Sequence, residues 1–254
     1  MKSTSTSKLV SRHKSFVELN IPNYPSTIKL KVGKDINFGS AAYWIYQWHS
    51  NPEKIQKTGR SLSQEILACM LGGYGITGEL SNAYYEKITS QVSDLSSLNS
   101  STLEAILRSP VLINGRNVKY RYPTQKARQI SAALNEASAK HWENLAPLAL
   151  RESLLNLTGI GLKTASWIVR NYTASDEVAI IDIHLHRAGV LAGFFLPEWT
   201  PTKHYKLMES AFISFSKKFN LSASGLDLLI WNHMRIRKFT HEHLNSFMPK
   251  TQYN

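Results

Sequence analysis

The chain has 254 residues, 43% of them hydrophobic and 10% aromatic, enough to bury a sizeable core and to exclude wholesale disorder. Thirty Lys and Arg against eighteen Asp and Glu leave a net charge of +12, which calls for a polyanionic partner, either nucleic acid or a membrane surface. One cysteine excludes an internal disulfide framework and any all-cysteine zinc or iron–sulfur site.

The first residues, Met1 to Lys8, are polar with no apolar run behind them, and no stretch approaches 18 apolar residues. Neither a secretory signal nor a transmembrane helix is expected, which places the protein in a bacterial cytoplasm or a nucleus. Positive charge is densest at the start, with net +7 in residues 1–60 against +1 in 61–150 and +4 in 151–254. A second concentration runs from Arg116 to Arg128, where Arg116, Lys119, Arg121, Lys126 and Arg128 occur with no acid, interleaved with Tyr120 and Tyr122. Such a stretch suits a phosphate backbone, with Lys126 and Arg128 as DNA contacts, and also suits a solvated loop.

In chain order, Thr27 to Val32 alternates and predicts a short strand, and the aromatic-rich Ala41 to His49 predicts a buried helix. A helix starting at Ser61/Ser63 and running to Leu71 is interrupted by Gly72-Gly73-Tyr74-Gly75, and further helices are expected over Gly78–Ser90, Ser101–Arg108, Thr124–Ala139 and Pro147–Asn156. After a Gly-x-Gly turn come helices over Leu162–Asn171, Ile183–Leu191 with Asp182 as N-cap, Pro201–Asn220 and Ala223–Arg235. The fold is mainly α, with one small strand element near the N-terminus.

The informative stretch is Leu157-Thr158-Gly159-Ile160-Gly161-Leu162-Lys163. Two glycines allow positive φ and a close backbone approach, and the turn opens a helix whose first N–H groups suit a phosphate. Lys163 falls on the first helical turn, where the dipole disfavours a cation and should lower its pKa, so it is either an amine nucleophile or a phosphate contact. Nineteen residues on, an apolar run delivers Asp182 to a helix start, with His184 on the exposed first turn facing a phosphate.

Leu157 to Gly189 resembles the helix–hairpin–helix (HhH-GPD) DNA glycosylase superfamily, in its lysine-bearing, 8-oxoguanine glycosylase-like branch. The resemblance rests on Gly159-x-Gly161-x-Lys163 and on Asp182-x-His184 at matching spacing. It implies two helical subdomains with a cleft between them. It divides the chain into a basic tail (1–25), a segment packing on the C-terminal helices (26–60), a helical subdomain (61–145), and a catalytic subdomain with the C-terminal helices (146–254).

By the same resemblance Lys163 and Asp182 are catalytic, and Gly159, Gly161 and His184 hold DNA phosphates. Tyr74 is the wedge inserted into the base stack, although the residues alone read equally as a turn between helices. The implied activity is excision of 8-oxoguanine from duplex DNA by a monomer, followed by imine-mediated strand cleavage. No cofactor is required, no protein metal site is implied, and the hairpin of this superfamily often holds a monovalent cation. The single cysteine excludes the iron–sulfur branch.

Where the vertebrate-type enzyme stacks a cysteine on the base, this chain has Trp167. Asp227 and Trp231, four apart on one helix face, are further base-contact candidates, and both tryptophans suit a core as well. That departure keeps open a deliberately modified base, such as a glucosylated pyrimidine of phage DNA. A non-catalytic hairpin module is a second alternative. A membrane-surface protein is a weaker third, since no basic amphipathic helix is evident.

Overall fold

A computed structural model describes residues 16–236 apart from Asp35, Tyr74 and Glu143. The elements are β1 (Phe16–Leu19), β2 (Ile28–Lys31), α1 (Ala41–Ser50), α2 (Leu62–Leu71), α3 (Gly78–Gln91), a 3-10 turn at Leu95–Ser97, α4 (Ser100–Arg108), β3 (Val111–Ile113), β4 (Arg116–Val118), α5 (Pro123–Ser138), α6 (Pro147–Leu154), α7 (Leu162–Thr173), α8 (Ile183–Ala192), α9 (Pro201–Lys218) and α10 (Ala223–Arg235). No helix among the described residues is long and apolar enough to cross a membrane.

The chain forms two compact units, one contiguous over Gln56–Ser175 and one joining residues 16–55 to 176–236. The division expected at 145/146 is therefore displaced to 175/176, because α7 packs on α2 and α6 and so belongs with the preceding helices. Within the contiguous unit α2 is central, packing against α3, α5 and α7 through Ile66, Leu67 and Leu71, all fully buried. Buried Glu65 joins α2 to α7, accepting hydrogen bonds from the Thr58 hydroxyl and from Asn171 Nδ2 (3.2 Å), with Arg60 at 3.6 Å. Burial, and next the Glu65 carboxylate, pushes the Cys69 thiol well above its ordinary range.

Three strands, β1, β3 and β4, lie outside the one predicted from the sequence. β1 pairs antiparallel with β2, Phe16 opposite Lys31, so the tail expected over 1–25 is structured from residue 16, its first 15 residues lying outside the described residues. The stretch from Arg116 begins as a strand and ends as a helix, with only residues 119–122 between them outside regular structure. Asn114 and Gly115, at φ 49° and 75°, make a tight turn joining β3 to β4, with Ile113 opposite Arg116. Tyr120 is buried, its hydroxyl donating to Leu71 O at 2.5 Å, so this aromatic closes the core and offers no face to a base.

In the two-segment unit α10 packs on α1, α8 and α9 around Trp44, Phe194, Phe212 and Phe215, with Phe194 and Phe215 stacked at 4.7 Å. The apolar run Val178–Ile181 belongs to no helix or strand, and side chains of α9 and α10 accept from its backbone N–H groups. Helix α9 is distorted at His204 (φ −125°) and ends at Lys218, two residues before the expected limit.

Gly225 lies where a Cβ would fall 2.0 Å from Glu53 O and 2.6 Å from the Trp48 ring. A backbone oxygen cannot move aside as a side-chain tip can, so Gly225→Ala should cost about 3 kcal/mol, read as a lower urea midpoint with unchanged m-value. His186 is buried, its Nε2–H donating to Trp199 O at 2.8 Å, and burial holds its pKa below 6.5 against the smaller opposing effect of that bond. The unfolded histidine takes up a proton below about pH 6.5 while the folded one resists. Its contribution to stability is therefore complete above pH 6.5 and declines as pH falls through the lower folded value. The urea midpoint should drop from pH 7 to pH 5.5 in the parent and drop less in His186→Gln.

Candidate active site

The first N–H groups of any helix need acceptors from outside it. Of the ten α-helices described, six are capped by side chains: Ser40, Ser61, Thr77, Asn99, Asp182 and Ser222 each accept from the first turn. Three more, α5, α6 and α9, begin with proline, which removes one donor. Helix α7 has neither. Its N-cap is Gly161, with no side-chain hydrogen bond, and a Cβ there would meet nothing within 4 Å. The donors at this end face open space.

Only one hairpin glycine uses positive φ. Gly159 is at 77°, tight against the Gln129 side chain, whereas Gly161 has φ −100°, extended backbone open to any residue. What Gly161 supplies is the missing side chain. The hairpin is anchored by Glu136 of α5, whose carboxylate accepts from Thr158 N (2.7 Å) and Oγ1 (2.5 Å), and those bonds hold its pKa down. Sequence reading missed Glu136. Its 22-residue separation from Thr158 leaves no local signal.

Lys163 is exposed on the first turn of α7. Trp167, one turn further, is half-buried and lies across Gly72, where a Cβ would fall 2.9 Å from its ring. Lys126 has a different use from the phosphate contact expected of it. Its ammonium donates to Met70 O (2.5 Å) and Gly72 O (3.0 Å), closing the carbonyl end of α2. Burial lowers its pKa, and the Lys163 charge acts in the same direction. Arg128 is exposed. Tyr74 lies outside the described residues. Its neighbours Gly73 and Ile76 form a bridge, and the Arg121 guanidinium packs on Gly75, which has φ 73°. Beside this turn a groove of about 830 Å³ is lined by Thr77, Glu79, Asn114, Arg116, Lys119 and Arg121.

Asp182 belongs to the two-segment unit, where its Oδ1 accepts from His184 N (2.8 Å) and Leu185 N (2.9 Å) as the cap of α8. The His184 ring is half-buried edge-on to Trp231 at 6.4 Å, not exposed as expected. Asp227, expected as a base contact, is turned into the protein interior. It is 4% exposed and accepts from Ile180 N at 3.3 Å. Trp231, on the same helix, keeps 36% of its surface exposed, with the Arg235 guanidinium 4.7 Å from its ring centre. Among the described residues no three His, Cys, Asp or Glu side chains gather as a metal site.

The family model for 8-oxoguanine DNA glycosylase matches residues 53–221. The chain belongs to the 8-oxoguanine DNA glycosylase family. An 8-oxoguanine DNA glycosylase/AP lyase of Saccharolobus islandicus is 35% identical over 138 residues, 50% of this chain and 64% of the relative. That of Saccharolobus solfataricus is 33% identical over 126 residues, 46% of this chain and 60% of the relative. The chain thus spans less than two thirds of the length of these curated relatives.

The fold is shared with two solved structures. One is the Methanocaldococcus jannaschii 8-oxoguanine glycosylase/lyase in complex with a 15mer DNA containing 8-oxoguanine (TM-score 0.53, 24% identity, 79% of this chain and 91% of that one). The other is the Thermotoga maritima 8-oxoguanine DNA glycosylase (TM-score 0.56, 22% identity, 77% and 87%).

Asp182 has two properties that substitution separates. Asparagine caps a helix about as well as aspartate, whereas alanine leaves the N–H groups of His184 and Leu185 without that acceptor. Asp182→Asn should keep stability within about 0.5 kcal/mol, and Asp182→Ala should lose about 1 kcal/mol, both measured by urea unfolding.

Proposed function

We propose that the protein removes 8-oxoguanine from duplex DNA and cleaves the abasic site it leaves, with Lys163 as the attacking amine and Asp182 as the carboxylate at the reacting sugar. The observation that carries this reading is the uncapped start of α7 with Lys163 exposed on its first turn. Open N–H groups and a helix dipole receive a DNA phosphate there, and they receive it beside an amine. The names of the relatives support the substrate.

The target nucleotide leaves the stack to be reached, and Tyr74 is the side chain proposed to fill the space. The N-glycosidic bond breaks with its electron pair on the departing base, which takes up a proton. Positive charge grows at C1′, where Asp182 stabilises it. The Lys163 lone pair then bonds to C1′. Nζ loses a proton, O4′ gains one as the sugar ring opens, and an imine remains. The imine acidifies the C2′ proton, and loss of that proton expels the 3′ phosphate. An amine and a carboxylate suffice for these steps. A monovalent cation would be held by backbone carbonyls of the hairpin around Gly159 and Gly161, and would supply positive charge toward a DNA phosphate. One copy of the chain carries both groups, so the working unit is a monomer.

Borohydride reduces the imine to a stable covalent complex. The parent should trap on an 8-oxoguanine duplex. Lys163→Gln should trap nothing while its DNA affinity stays within about twofold, and Asp182→Asn should excise roughly 10³-fold more slowly. Trapping that persists in Lys163→Gln would overturn the nucleophile. Trapping by the parent only on duplexes with other modified bases would overturn the substrate.

A further inference from the structure

The run Val178–Ile181 delivers Asp182 with no strand beside it, and yet the N–H groups from Ala179 to Ile181 all have acceptors. Ala179 N donates to Glu209 Oε1 at 3.0 Å, Ile180 N to Asp227 Oδ2 at 3.3 Å and Ile181 N to the Tyr205 hydroxyl at 3.2 Å. That hydroxyl in turn donates to Ala179 O at 2.8 Å. All three side chains are buried, Glu209 at 5% and Asp227 at 4% exposure, in a unit whose core is mostly apolar. Placing two carboxylates there is costly, and a neighbouring strand would have satisfied the same donors without them.

What the side chains supply beyond a strand is an end to the run. Asp182 N turns back to Ile180 O at 2.8 Å, a three-residue turn, and the Asp182 carboxylate then caps α8. The backbone is anchored to α9 and α10 at each residue from 179 to 181, which resists sliding along its axis. A one-residue slip would move Asp182 by about 3.3 Å and turn its side chain to the opposite face.

We propose that Glu209, Tyr205 and Asp227 are positioning residues for Asp182, fixing where its carboxylate leaves the core and hence the rate of base excision. The inference rests on the role given to Asp182 above. A base-excision step that depends on Asp182 responds to this clamp, whereas imine formation by Lys163 at an abasic site already present does not.

Two assays on the 254-residue chain test it: excision of 8-oxoguanine at saturating duplex, and borohydride trapping on a duplex with a preformed abasic site. Tyr205→Phe removes the hydroxyl that accepts from Ile181 N and donates to Ala179 O. It should lower excision about tenfold, with trapping, KM and urea midpoint changed less than twofold, the pattern expected of Asp182→Asn in milder form. Glu209→Gln and Asp227→Asn keep an oxygen acceptor and should retain excision within about threefold, whereas Glu209→Met should lose it as Tyr205→Phe does.

Unchanged excision in Tyr205→Phe and Glu209→Met would overturn the proposal, as would an equal loss in both assays. If Tyr205→Phe does not fold, the Gln and Met substitutions at Glu209 carry the comparison by the same criteria. An Asp182→Asn variant with normal excision would remove the premise. Absence of trapping by the parent would mark the separate failure of the Lys163 assignment.

Discussion

Each helix in this chain has to satisfy the same demand at its start, where backbone N–H groups point out of the element and need acceptors. Nine of the ten described meet it with a capping side chain or lose a donor to proline. Helix α7 has neither, and the rest of the contiguous unit is arranged to hold that unsatisfied end in place. Glu136 fixes the turn before it, Gln129 packs under Gly159, and the Glu65–Asn171 bond secures its far end. Rigid support on three sides lets a helix leave its donors open without fraying.

Positive charge in this chain does more than attract phosphate. Lys126 is spent inside the protein, its ammonium on the carbonyl end of α2, while Lys163 stands at the amide end of α7. The dipoles treat the two amines oppositely, favouring a cation at the first place and disfavouring it at the second. Gly72 makes the arrangement fit, with Lys126 on its carbonyl and the Trp167 ring against its Cα. A net charge of +12 therefore overstates the charge offered to a partner.

Legibility in the sequence followed the range of the forces involved. Asp182 before an apolar helix, the prolines at 123, 147 and 201, and Ser61 all announced helix starts, because capping acts within three residues. The Asn114-Gly115 turn is an equally local signal for the β3–β4 hairpin, set by two adjacent residues that adopt positive φ. Asp227 and Trp231 share a helix and a spacing. The first is buried and accepts from the backbone of residue 180, 47 positions away. Glu136, Glu209 and Tyr205 were invisible for the same reason, as each serves a segment far off in the chain. Of the two hairpin glycines, only Gly159 needs positive φ, a distinction that no spacing rule contains.

The order of the units along the chain also bears on how the protein is made. Residues 56–175 hold every contact of their unit within one uninterrupted stretch, so that unit is complete as soon as residue 175 has been synthesised. The other unit cannot close until α8, α9 and α10 follow, more than 120 residues after α1, and its strand pair and α1 must wait with Trp44 and Trp48 uncovered. During synthesis at about 5–20 residues per second that wait lasts several seconds or longer, an interval in which the early segment is exposed to aggregation and to chaperones.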